Sequence, residues 1–251
     1  MRCVWRRRRL SLALLAWLTL ARAGGSAEAP LRFGTDANDH SGLSPAARAL
    51  LTHALQSLGQ QVHFEPLPLR RSLSMTEQGL LDGEAMRIRA VAEEHPNLLL
   101  VPVPLVAMEI IGYVRRGETG PADVNALAGW RVGFPRGVVA LERLLAQVPR
   151  RVEVTTRQDL LRLLRIGAID VALFASTAGE PDIDAAQTEG LSRLPTPLHT
   201  TALYALLHVR HRALLPRLTQ VLQQMEASGE SARLRSAAWA ALRAQALTES
   251  R

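Results

Sequence analysis

Cysteine is almost missing from this chain of 251 residues. The one copy, Cys3, lies in the first few positions. Without it, the rest of the chain has no thiol, so disulfides, thiolate catalysis and cysteine-based metal sites are excluded. Aromatic residues are scarce, at 4%. The seven histidines show no metal-ligand spacing beyond an isolated His208/His211 pair. No Gly-x-Ser-x-Gly elbow and no phosphate-cradling glycine loop occurs. No segment reaches 18 apolar residues, the length at which a membrane-spanning helix becomes the expected reading. Acidic residues are absent from the first 23 positions, where Arg2, Arg6, Arg7, Arg8, Arg9 and Arg22 lie.

That last absence explains the charge. The formal net charge of +7 invites a nucleic-acid reading, but setting residues 1–23 aside leaves 24 arginines against 23 acids. The basicity belongs to the leader, and no nucleic-acid partner is expected. Residues 1–23 have the form of an export signal: a basic start, the apolar run "LSLALLAWLTL", and "ARA" as a small-x-small cleavage site at Ala23, with Ala27 as an alternative. The expectation is a mature protein soluble in the periplasm, since 47% hydrophobic and 21% charged residues is an ordinary globular composition.

What is present beyond the leader is an alternation of strand-like and helix-like units, written twice. "LRFGTD" reads as a strand, followed by a helix opened by Ser44 and Pro45 and stopped by Gly59. Residues 61–67 and the segment "DGEAMRI" read as strands around a short helix. Pro102 and Pro104 keep the following apolar stretch extended. A second block opens with "WRVGFPRG", continues through a helix and "RVEVT", and reaches a helix capped by Thr156 and ended by Gly167. "AIDVALFA" suits a strand buried on both faces. Two helices, around Leu218 and around Ala238, close the chain. The pattern predicts an α/β fold with mostly parallel sheets.

Three segments carry a resemblance to a known family. "EQGLLDGEAMRIRAVAEEHPNLLLVPVPL", "LAGWRVGFPRGVVA" and "DLLRLLRIGAIDVALFA" are similar to signature segments of the extracytoplasmic solute-binding proteins of family 3, which include the polar amino-acid binders of ABC transporters. The resemblance implies a type 2 periplasmic-binding fold: two α/β lobes joined by a two-stranded hinge and closing on a small solute. Lobe 1 would comprise 24–113 plus 206–251, and lobe 2 residues 114–205. The chain would be a binder and not an enzyme, with no cofactor or metal. Its partners would be a small solute and a membrane permease or sensor. A stand-alone sensory domain is the alternative, and a dehydratase using Glu84 and His40 a remoter one.

The resemblance also places site residues. Arg87 sits where amino-acid binders carry the arginine that grips the solute's carboxylate, a task suited to a planar guanidinium. Strand alternation puts Arg89 on the same face. Gly137 and Val138 open a helix whose free N–H groups could seat an anion. Asp36 or Asp39 could meet a cation, and Arg71 is a further candidate. Two departures stand out. Ala175 replaces the acid that usually pairs with the ammonium group, and the loop after the first strand lacks the usual aromatic residues. The expectation is therefore a small carboxylate-bearing solute, and not necessarily an amino acid.

Overall fold

The computed structural model describes residues 29–37, 43–177 and 188–249. The leader, Asp39 and His40 lie outside the described residues. Among those described, nine strands form one sheet in the order β2-β1-β3-β9-β4-β7-β5-β6, with β8 also on β4. Its first end comprises β1 (Leu31–Asp36), β2 (Val62–Leu67) and β3 (Gly83–Arg87). β1 runs parallel to both its neighbours. The second end repeats this with β5 (Val132–Pro135), β6 (Arg151–Val154) and β7 (Val171–Thr177), and here β5 is parallel to both neighbours. Two long strands, β4 (Leu98–Arg115) and β9 (His199–His208), join the ends. They pair antiparallel with each other, while β9 borders β3 and β4 borders β7. β8 (Leu191–Arg193) adds to β4. The sequence pattern thus gives the parallel triplets, and the strands that connect them are antiparallel.

The helices form where the apolar spacing places them. α1 (Leu43–Ser57) buries Ala47, Leu50, Leu51, Ala54 and Leu55 on one face, and Gly59, at φ 76°, ends the turn after it. α2 (Leu69–Glu77) and α3 (Arg89–Glu94) flank β3. α4 (Val139–Leu144) is six residues long, shorter than the sequence suggests. In α5 (Arg157–Arg165), the Thr156 hydroxyl accepts from the Asp159 N–H at 3.1 Å, as its capping pattern predicts. α6 (Leu215–Ala227) and α7 (Glu230–Glu249) return to the first end, packing on α1 and against each other, with α6 also against β4.

β4 serves two cores. Val101, Val103 and Leu105 pack with Phe33, Leu50, Leu207 and Leu218 at the first end. Val106, Met108 and Ile110 pack with Phe134, Leu141 and Leu173 at the second. The β4–β9 register shifts twice between Leu100 and Val106, the stretch that holds Pro102 and Pro104. Proline cannot donate to a ladder, so pairing slips there. The change of core at Leu105–Val106 comes before 113/114, the lobe boundary that the resemblance implies.

Candidate functional site

A cleft of about 80 Å³ opens where the two ends meet. From the first end it is lined by Asp36, Leu43, Leu69, Met86, Arg87 and Val91, with Ile88 beside them. Val138, Val139, Ala140 and Ala175 face them from the second end, and Met108 and Leu203 of the joining strands complete the wall. Asp36, Arg87 and Ala175 lie at or near the carboxyl ends of β1, β3 and β7. Open α/β sheets carry ligand crevices in this position. Among the described residues the lining is aliphatic apart from Asp36 and Arg87, and it contains no aromatic ring.

Arg87 is at the cleft wall, and its guanidinium is already engaged. One Nη–H donates to Glu84 Oε2, and the same nitrogen lies 3.1 Å from the Leu69 carbonyl. Both side chains are buried, at 5% and 1% exposure. The other oxygen of Glu84 accepts from Ser72 Oγ at 2.7 Å and Thr76 Oγ1 at 2.6 Å. Arg87 keeps one buried donor without a partner, its Nε–H. The carboxylate that meets Arg87 in this structure is that of Glu84. Alternation predicts residues 84 and 87 on opposite faces. A β-bulge between them, where Glu84 faces Leu206 and Arg87 faces Tyr204, turns both to one side.

Gly34 makes room for this cluster. A β-carbon there would fall 1.8 Å from Ser72 Oγ and 3.0 Å from Glu84 Oε1. Gly83 is equally constrained, since a β-carbon would meet the Leu206 carbonyl at 2.3 Å.

The remaining candidates divide. Asp36 and Val138 line the cleft. Gly137 holds φ 87°, which favours glycine, and its N–H donates to Glu142 Oε1 at 3.0 Å. The expected anion seat is thus filled by an acid of the same turn. Arg89 differs from its sequence reading: the strand ends at Arg87, and Arg89 begins α3, exposed, with its guanidinium 4.9 Å from the Tyr204 ring centre. Arg71 is exposed on α2, outside the cleft lining. Glu84, Ser72 and Thr76 escaped sequence reasoning as a unit. The hydroxyls at 72 and 76 were their only signal, since they share one face of a helix.

Ion pairs span the cleft mouth. Arg70 of α2 lies 3.0 Å from both oxygens of Glu142 on α4, and Arg143 of α4 pairs with Glu94 of α3. Hydrogen bonding and charge from Glu142 raise the pKa of Arg70. Away from the cleft, Arg131 grips Asp170 and holds its carboxyl below the usual range. Among the described residues no three His, Cys, Asp or Glu side chains gather as a metal site, and no helix is long and apolar enough to cross a membrane.

No protein-family model and no curated protein matches the sequence. Solved structures do match in shape. A histidine kinase sensor domain with similarity to periplasmic binding proteins superposes with a TM-score of 0.67 at 18% identity, covering 84% of this chain and 96% of that one. The fold is the type 2 periplasmic-binding-protein fold. An ancestral arginine-binding protein bound to arginine gives a TM-score of 0.64 at 14% identity, covering 84% and 98%. An amino acid ABC transporter substrate-binding protein from Streptococcus pneumoniae bound to L-arginine gives 0.61 at 15%, covering 84% and 95%.

Proposed function

We propose that this protein is an extracytoplasmic solute-binding domain, a binder and not a catalyst, that closes two lobes on a small solute and hands it to an ABC-type permease. The lobes are the two ends of the sheet; the bounds expected from the sequence, 24–113 with 206–251 and 114–205, shift so that the crossing falls on β4 and β9 near Leu105–Val106, where the core changes. One observation carries the reading. The cleft draws its walls from both ends and lies at the carboxyl ends of their strands. The export-signal pattern read in the sequence of residues 1–23 supports a periplasmic location. The sequence reading adds a carboxylate on the solute, held by Arg87; the hold of Glu84 on that arginine weighs against it. A second reading, a sensory domain that recruits a membrane kinase, draws support from the likeness to the histidine kinase sensor domain.

A thermal-shift screen of the chain from Gly24 onward tests the proposal. A ligand that binds only the folded state raises the melting temperature by mass action. Hits should stabilise the wild type and not Val138→Trp, whose ring fills the cleft. Hits unaffected by that substitution would place binding elsewhere, and turnover of a hit would make the protein an enzyme.

A further inference from the structure

We propose that Glu84 is a specificity-determining residue that occupies the place of a solute carboxylate, so that the cleft admits compact, uncharged aliphatic solutes and turns carboxylates away. The inference rests on the solute-binding reading and narrows it.

Three observations carry it. First, the charge of Arg87 is already met. Glu84 gives one oxygen to Arg87 and the other to Ser72 and Thr76, in a pocket that Gly34 keeps clear. The pair is buried and neutral as a unit. A second carboxylate brought against it would add uncompensated negative charge to a largely aliphatic wall, and burying such a charge is costly. Second, the other anion seat expected from the sequence, the Gly137 N–H, is filled by Glu142, which Arg70 also holds at 3.0 Å. Both seats thus carry acids of the chain itself. Third, what remains for a solute among the described residues is aliphatic surface from Leu43, Leu69, Met86, Ile88, Val139 and Leu203. The Nε–H of Arg87 has no partner but is itself buried, so among the described residues the arginine turns little free charge toward a solute.

Matched probes test the idea: isobutyramide, isobutyrate and acetate, each titrated into wild type, Glu84→Ala and Glu84→Ala/Arg87→Met while melting temperature is followed. The alanine removes the carboxylate of Glu84, leaves its place open beside Ser72 and Thr76, and releases the charge of Arg87. Isobutyramide should stabilise the wild type, and the two carboxylates should not. Glu84→Ala should gain a saturable response to acetate, of about 3–6 °C at ten times its dissociation constant. The double variant should lose that response, because the arginine is gone. If Glu84→Ala is unfolded in plain buffer, acetate should refold it. Carboxylates that stabilise the wild type as well as the amide does would overturn the inference and leave solute binding standing. A Glu84→Ala protein indifferent to acetate would overturn it too. If no probe stabilises any of the three proteins, both the inference and the solute-binding reading fail.

Discussion

Arg87→Ala separates the sequence's account of this residue from the structure's. Read from sequence, the substitution removes a solute contact and leaves the fold intact. In the structure it strands Glu84, whose side chain is 1% exposed and keeps only the hydroxyls of Ser72 and Thr76 as donors. Breaking a buried ion pair by removing one partner costs about 3–5 kcal/mol, because a buried charge is left uncompensated. The Leu69 carbonyl also loses its donor. For a chain of this size, about 2–4 °C of melting temperature accompanies each kcal/mol, so the midpoint should fall by roughly 6–20 °C. Urea unfolding of Arg87→Ala, Glu84→Leu and the double variant gives the coupling directly. The double variant should recover most of the loss, since replacing both members of a buried pair by apolar groups is often neutral. A loss below about 1 kcal/mol in Arg87→Ala, or a double variant weaker than both singles, would refute the argument that this pair is buried and mutually compensated.

Three further outcomes follow from the geometry. Gly34→Ala should cost about 1–3 kcal/mol by overpacking, because the new methyl falls 1.8 Å from Ser72 Oγ and forces that hydroxyl off Glu84; calorimetry of the purified variant checks it. The pairs Arg70–Glu142 and Arg143–Glu94 are partly exposed, so the attraction they add is open to screening by salt. Raising salt to about 0.5 M, where such charges are largely screened, should therefore loosen the cleft and enlarge the radius of gyration in X-ray scattering, and Arg70→Ala/Arg143→Ala should no longer respond to salt. His208 is held below its ordinary value of 6.5 by burial and by the charges of Arg210 and His211. The unfolded chain therefore takes up that proton first as pH falls, so the stability is fully present above 6.5 and is lost below it. The urea midpoint should drop between pH 7 and 5.5, and His208→Gln should flatten that slope.

Much of the fold could be read from residue pattern. The repeated strand–helix order, the cap at Thr156, the stop at Gly59 and the prolines that keep β4 extended each act through local chemistry, and local chemistry is written in sequence. The site was less legible because it depends on register and distance. Residues 84 and 87 share a face only through a bulge, and period-two alternation cannot see a bulge. Arg89 left the cleft because the strand ends at Arg87 and Arg89 opens a helix, so the strand alternation does not reach it. Glu142 is separated from Arg70 by most of one lobe, so nothing near either residue announces their meeting. Asp36 and Val138 were legible because both lie where a strand end or a helix start faces the junction.

The cleft's lining makes one measurement especially direct. Leucine, isoleucine, valine and methionine methyl groups supply its walls from both ends of the sheet, so methyl NMR of the protein labelled at those residues reports contact on each wall separately. On titrating a thermal-shift hit, the account predicts shift changes at Leu43, Ile88 and Val91 together with Val138, Val139 and Leu203, at one common affinity. Changes confined to a single wall, or centred instead on Leu100 and Leu215 at the groove beside α6, would contradict the claim that this protein closes two lobes on a solute.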